Sequence, residues 1–230
     1  FCTPVLADVT SLPAVTPEQQ TAAWAKSWWM PRHETKLAEA QKLGKGVKLL
    51  FLGDSITQGW EGNGQDVWEL FYGRRHAFNL GFGGDRTEHA IFRLQNGNLG
   101  NSKPKVAVVM IGTNNTGHSL QEPAEVAEGV EKILDILKQK TPDTKVLLLG
   151  VFPRGKQPLD AKRLNNVAIN QRIRRLHDGD RVHYLDIGKA FLEDDGSLSP
   201  KIMPDALHLS PEGYRRWADA IEPTLQNLGV

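Results

Sequence analysis

Four short polar segments carry the residue types from which an acyl-transfer site is assembled. Gly53-Asp54-Ser55-Ile56-Thr57 offers a hydroxyl, and Asn79-Leu80-Gly81-Phe82-Gly83-Gly84-Asp85 offers a backbone that a substrate can approach closely. Gly112-Thr113-Asn114-Asn115 offers neutral side-chain amides, and Asp205-Ala206-Leu207-His208 sets a carboxylate close to an imidazole. A serine hydroxyl is a weak nucleophile until a base takes its proton, and histidine is the usual base. That base must be neutral to act, so activity is expected to fall toward acid. A carboxylate orients the imidazole, and N–H donors hold the oxygen on which negative charge develops. Each segment alone reads more readily as ordinary turn chemistry. Together they supply a nucleophile, a base, an orienting group and oxyanion donors.

Such groups meet only if the elements before them end side by side. Val47–Leu52, Val106–Ile111 and Val146–Leu149 are apolar runs closed by Gly53, Gly112 and Gly150, as expected of strands covered on both faces. His76–Leu80 and Arg181–Ile187 are weaker strand candidates. Between them lie helical stripes at Val126, Val130, Ile133, Leu134 and Leu137, and at Leu164, Ala168, Ile173 and Leu176. Thr16-Pro17-Glu18-Gln19 reads as a capped helix start leading through Trp24, Trp28 and Trp29 toward Leu43. Ser210-Pro211-Glu212 opens a last helix carrying Tyr214, Trp217, Ala218 and Ile221, with Pro223 a potential kink. Alternating strands and helices predict a three-layer α/β/α sandwich with a parallel sheet, whose sites lie beyond the carboxyl ends of its strands. Residues 1–23 read as a lead-in and residues 24–230 as one catalytic domain.

The four blocks, in this order, resemble the SGNH (GDSL) hydrolase superfamily, named for its Ser, Gly, Asn and His. The strings LLFLGDSITQGW, NLGFGGDRTEHAIFRL and IGTNN are most similar to the branch containing the catalytic subunits of platelet-activating-factor acetylhydrolase and bacterial carbohydrate acetylesterases. The resemblance implies Ser55 as nucleophile, His208 as general base and Asp205 as its orienting carboxylate. It implies an oxyanion hole made by the N–H groups of Ser55 and Gly84 and the amide of Asn114. It also implies a flavodoxin-like five-stranded sheet in the order 2-1-3-4-5, and pairing into a homodimer. The substrate expected is a short acyl ester, first an acetylated carbohydrate such as xylan. An acetyl-phospholipid or lysophospholipid is the alternative within enzymes, and a non-catalytic carbohydrate-binding domain the alternative outside them.

Neighbouring residues read as structural. Asp54, Asn79, Asp85 and Asn115 are expected to hold loops, and Trp60 to pack rather than line the cleft. Trp24, Trp28 and Trp29 form either a sugar-stacking surface or a cluster docking the first helix on the core.

Composition narrows the partners. With 28 Lys+Arg against 27 Asp+Glu and a net charge of +1, no basic footprint for nucleic acid exists. No apolar stretch approaches the ~20 residues of a membrane span. The dinucleotide fingerprint fails because Arg86 stands where its third glycine belongs, and Gly53–Gly59 lacks a P-loop lysine. No nucleotide or flavin cofactor is therefore expected. The single Cys2 excludes an intrachain disulfide. Phe1–Ala7 reads either as the tail of an export signal cleaved after Ala7, making the protein secreted or periplasmic, or as an arbitrary start to an otherwise cytoplasmic chain. His33, His76, His89, His118, His177 and His183 lack metal-ligand spacing, so no metal is expected. Dialysis against a strong chelator should accordingly leave ester hydrolysis unchanged, and loss of turnover restored by a divalent ion would overturn this expectation.

Overall fold

The computed structural model describes residues 12–230; Cys2 and the Phe1–Ala7 stretch lie outside the described residues. Five strands, β1 (Leu49–Gly53), β2 (Ala77–Gly81), β3 (Val106–Met110), β4 (Lys145–Leu149) and β5 (Val182–Leu185), form one all-parallel sheet. Its order, β2-β1-β3-β4-β5, is the flavodoxin-like order expected. Side chains alternate across the strands. Leu50, Leu52, Ala107, Val109, Val146 and Leu148 face one buried layer, and Leu49, Phe51, Val106, Val108, Leu147 and Leu149 face the other.

The helices, in chain order, are α1 (Trp29–Leu43), α2 (Ser55–Gln58), α3 (Gln65–Phe71), α4 (Thr87–Gln95), α5 (Thr113–Ser119), α6 (Pro123–Lys140), α7 (Ala161–Ile173) and α8 (Pro211–Asn227). Val126, Val130, Ile133 and Leu137 of α6 join Ile91 and Leu94 of α4 and Ile169 and Ile173 of α7 in one core layer. Tyr214, Trp217, Ala218 and Ile221 of α8 join Trp60 and Tyr72 in the other. Trp60 is thus a packing residue, its ring centroid 4.6 Å from Tyr214 and 5.0 Å from Trp217. Ser210 caps α8 by accepting from the Gly213 N–H at 3.2 Å, and the helix runs past Pro223 to Asn227.

Two helix expectations are corrected. The helix expected from Thr16 begins only at Trp29. Residues 13–15 instead form a 3₁₀ turn, and the Thr16 hydroxyl donates to the Leu12 carbonyl rather than capping a helix. Gln20 then turns inward and donates to the Gly84 carbonyl at 3.3 Å. A continuous helix from Thr16 would forbid that inward turn. On α7, Leu164 is half exposed; the buried face carries Arg163, Asn166, Ile169 and Ile173. Polar residues occupy this face because they bond the loop after β4: Arg163 Nε donates to the Arg154 carbonyl at 3.0 Å and Asn166 Nδ2 to the Phe152 carbonyl at 3.0 Å.

β2 and α2 approach so closely at Gly81 that an added Cβ would lie 2.1 Å from Gln58 N and 2.4 Å from the Thr57 carbonyl carbon. Backbone cannot yield there cheaply. Gly81→Ala should therefore lose about 3 kcal/mol, a Tm fall of about 6–12 °C by thermal melting. Gly46→Ala, which meets nothing within 4 Å, should stay within about 0.5 kcal/mol of the parent. Equal melting of the two variants would contradict the packing described.

Candidate active site

β1 delivers the Ser55 segment to the carboxyl edge of the sheet. Asp54 ends the strand and caps α2, its Oδ1 accepting from the Ile56 N–H at 2.9 Å. Ser55 is thereby the first residue of α2, where a backbone N–H has no intrahelical acceptor. Gly53 allows the close fit, since a Cβ there would sit 2.1 Å from Thr57 Oγ1 and 2.4 Å from the Met110 carbonyl.

The chain returns to this edge 153 positions later, where Ser55 Oγ lies 2.9 Å from His208 Nε2. His208 Nδ1 lies 2.7 Å from Asp205 Oδ2. A carboxylate only accepts, so Nδ1 carries the proton and Nε2 presents its lone pair to the serine hydroxyl. Asp205 Oδ1 accepts from the Leu207 and His208 N–H groups at 3.0 and 2.7 Å. Partial burial raises the Asp205 carboxyl, but the hydrogen bonds from the His208 side chain and backbone outweigh it and hold it below the usual carboxylate range. The arrangement can remove a proton from Ser55 Oγ and return it to a leaving group.

Two further N–H donors lie on the segments that follow the neighbours of β1 in the sheet. Gly84, after β2, has φ +70° and an N–H with no acceptor among the described residues. Asn114, in the first turn of α5 after β3, donates one amide hydrogen to the Asp85 carbonyl at 3.0 Å and keeps the second. Gly83 N–H donates to Gln58 Oε1 at 2.7 Å, tying this loop to α2.

Beneath it Asp85 accepts from Arg93 Nε at 2.7 Å and from Trp29 Nε1 at 2.6 Å, with both ionic side chains fully buried. Burial pushes the Asp85 carboxyl up, to about 6, while Arg93 and Trp29 pull it back; it is ionised at neutral pH. Burial pushes Asp54 up to about 7, and its Oδ2 has no partner among the described residues. Burial, then the charges of Arg86 and Arg93, holds His89 down at about 3; its neutral Nδ1 accepts from the Arg86 N–H at 3.0 Å.

Ser55, Gly84, Asn114, Asp205 and His208 are thus all brought to one edge of the sheet. Asn79 holds Thr57 O and the Gly81 N–H, and Asn115 bonds Thr87 and Gln121, as loop-holding residues should. The tryptophan cluster divides. Trp29 is buried with Phe82, whereas the Trp24 ring abuts Gly84 and is half exposed. Arg93 and Arg154 were not anticipated. Arg93 was legible as a charge on the apolar face of α4, and Arg154 as a polar residue just past β4. Arg154 Nη1 donates to the Thr113 carbonyl at 2.6 Å and hydroxyl at 3.1 Å, and the charges of Asp54, Asp160 and Asp205 act on it.

The GDSL-like lipase/acylhydrolase family matches this chain over residues 51–216. Human platelet-activating factor acetylhydrolase IB subunit alpha1 is 35% identical over 201 residues, covering 87% of this chain and 84% of that protein. The chain belongs to the GDSL-like acylhydrolase family. Solved structures similar in fold include a GDSL-like lipase from Bacteroides thetaiotaomicron, with TM-score 0.71 and 19% identity, covering 85% of this chain and 97% of that one. An acetylxylan esterase from Geobacillus stearothermophilus has TM-score 0.63 and 20% identity, covering 82% and 97%. This GDSL acylhydrolase is therefore an ester-cleaving enzyme, and among its described residues no helix is long and apolar enough to cross a membrane.

Asp54 gives this enzyme a pH signature. Its carboxyl ionises near 3.8 when unfolded and about 7 when folded, so its contribution is fully present below the unfolded value. It is lost as pH rises through the folded value. Asp54→Asn keeps the cap and removes the titration. Its stability relative to the parent should rise by a few kcal/mol between pH 4 and pH 8; parallel stability curves would refute the assignment.

Proposed function

We propose that this acylhydrolase is a serine esterase removing short acyl groups, above all acetyl, from an acetylated carbohydrate such as xylan. In this reading residues 24–230 are the catalytic unit. Ser55 attacks the ester carbonyl, His208 takes the hydroxyl proton and gives it to the departing alkoxide, and Asp205 stabilises the imidazolium. The N–H groups of Ser55 and Gly84 and the free amide hydrogen of Asn114 stabilise the tetrahedral oxyanion. Water, activated by the same imidazole, then releases the carboxylic acid and regenerates Ser55.

The observation carrying this reading is the continuous Ser55–His208–Asp205 hydrogen-bond relay. Its His208 and Asp205 side chains are 43% and 56% exposed. Catalytic groups standing at an open rim suit an acetyl group borne on a bulky hydrophilic chain. A second reading, acetyl-phospholipid hydrolysis, is favoured by the relatives named platelet-activating factor acetylhydrolase.

Hydrolysis of p-nitrophenyl esters from acetate to octanoate, followed by acetylated xylo-oligosaccharides and acetyl-phospholipid, tests these assignments. Acetate should be steeply preferred over octanoate. Ser55→Ala should lose at least ~10⁴-fold in kcat, and Asn114→Ala ~10²–10³-fold, with folding intact. Equal turnover of octanoate would discard the short acyl site. Preference for the phospholipid over the sugar ester would select the second reading, and serine-independent turnover would remove Ser55 from the mechanism.

A further inference from the structure

Large aromatic side chains are expensive to leave in water unless something else comes to cover them. Trp29, Trp60 and Trp217 are at most 1% exposed, whereas Trp24 is 51% exposed. Its position is nonetheless fixed. The Trp24 carbonyl accepts from Trp28 Nε1 at 3.0 Å, and the two indoles lie 6.1 Å apart, tilted by 33°.

Both rings are seated against the two glycines that follow β2. A Cβ on Gly84 would lie 2.0 Å from Trp24 Cη2, and one on Gly83 would lie 3.2 Å from Trp28 Cη2. The backbone that offers the Gly84 N–H is thus touched by the edge of an indole whose remaining surface is open. His118 lies beside it without covering it, its ring centroid 6.3 Å from that of Trp24 and its plane steeply inclined at 71°.

We propose that Trp24, flanked by Trp28 and His118, is the stacking subsite for the sugar ring that carries the scissile acetyl group. The proposal rests on the carbohydrate-ester reading above and gives it a specificity residue. An acetyl carbonyl held at Gly84 leaves its sugar ring about one ring-width away, where the open indole stands. The C–H faces of a pyranose suit such a surface, and its hydroxyls need donors and acceptors at the edge. Partial burial, then the charges of Arg86, Arg154 and Lys162, holds the His118 imidazole below its ordinary value. The neutral ring offers one donor and one acceptor. Arg86 is paired with Glu88 at 2.8 Å, but Arg154 and Lys162 have no carboxylate within ion-pair distance among the described residues, and these two cations decide between possible occupants. An aromatic face attracts quaternary ammonium groups, but a choline headgroup brought here would meet positive charge. A neutral polyhydroxylated ring would not.

The test compares Trp24→Ala and Trp24→Phe with the parent on an acetylated xylo-oligosaccharide and on ethyl acetate, which has no ring to stack. The ratio of kcat/KM for the sugar ester to that for ethyl acetate should fall at least tenfold in Trp24→Ala. The loss should be carried by KM, and Trp24→Phe should recover most of it. Parallel losses on both substrates would make Trp24 a support of the Gly84 loop and overturn the subsite. An unchanged ratio would overturn it as well, with the carbohydrate reading intact. A parent that cleaves ethyl acetate but not the sugar ester would overturn the carbohydrate reading, and the subsite with it.

Discussion

The buried Asp85–Arg93 pair is the interaction on which the site depends. Arg93 Nε holds Asp85 Oδ2 at 2.7 Å, Nη1 donates to the Leu80 carbonyl and to Asn98 Oδ1, and Nη2 reaches the Gly53 carbonyl at 3.4 Å. The guanidinium also lies 3.9 Å from the centroid of Phe82. One planar cation therefore gathers the last turns of β1 and β2 and the loop beyond them. Asp85 extends the network through its side chain to Trp29 and through its carbonyl to Asn114. Desolvating both charges offsets much of their attraction, so the pair adds little to stability over an apolar substitute. Removing one partner is different, costing about 3–5 kcal/mol because the other charge is left unpaired. Its value lies in geometry: the turn that carries Ser55, the Gly84 loop and α5 are each bonded to the same pair or to its immediate partners.

The network also controls charge. In the proposed mechanism, an oxyanion forming near Ser55 would be opposed by any bare carboxylate close by, strongly so in a low-dielectric surrounding. Asp85 is matched by Arg93. Glu88 is matched by Arg86 at 2.8 Å and by the Asn115 amide at 3.1 Å. Asp54, directly before Ser55, is carried up to about 7 by burial and so spends much of its time protonated near neutral pH. Three acidic side chains near Ser55, Gly84 and Asn114 are thereby silenced, Asp85 and Glu88 by ion pairing with hydrogen bonds and Asp54 by desolvation. Arg154 has no carboxylate within ion-pair distance among the described residues, and it leaves a net positive charge beside Thr113.

How much of this was legible depended on whether the signal was local. β1 and β3 announce themselves as apolar runs ending in Gly53 and Gly112, because strands buried on both faces need no polar alternation. Their ends put Ser55 and Asn114 at the carboxyl edge of the sheet, where the structure has them, whereas Gly84 and His208 were singled out only by the order of the four blocks together. The first helix was misread because Thr16-Pro17-Glu18-Gln19 satisfies every local rule for a helix start. Tertiary contacts overrule it, with Gln20 bonded to Gly84 and the Thr87 hydroxyl bonded to the Ala14 carbonyl at 2.8 Å. The Leu164 stripe failed for a related reason. Arg163 and Asn166 are turned inward to hold backbone carbonyls, which no hydrophobic pattern records. Arg93 is buried for the same purpose, so the residues hardest to read were polar ones serving distant backbone.

The two halves of the site are consequently built by different physics. The Gly84 and Asn114 half is assembled by long-range buried contacts, and a change in Trp29, Arg93 or Gln58 reaches it at a distance. The Asp205–His208 half is nearly self-contained. Ala206 takes φ +58°, a conformation unusual for a residue with a side chain, and this curls the chain back on itself. Asp205 Oδ1 thereby accepts two successive backbone N–H groups while Oδ2 faces the imidazole. The Ala206 carbonyl accepts from the Gly155 N–H at 2.9 Å, which pins the turn to the loop after β4. Because both side chains are substantially exposed, their attraction is screened and contributes little to folding. What the turn fixes is the tautomer and aim of the imidazole, and backbone hydrogen bonds, which salt screens poorly, are enough to fix them.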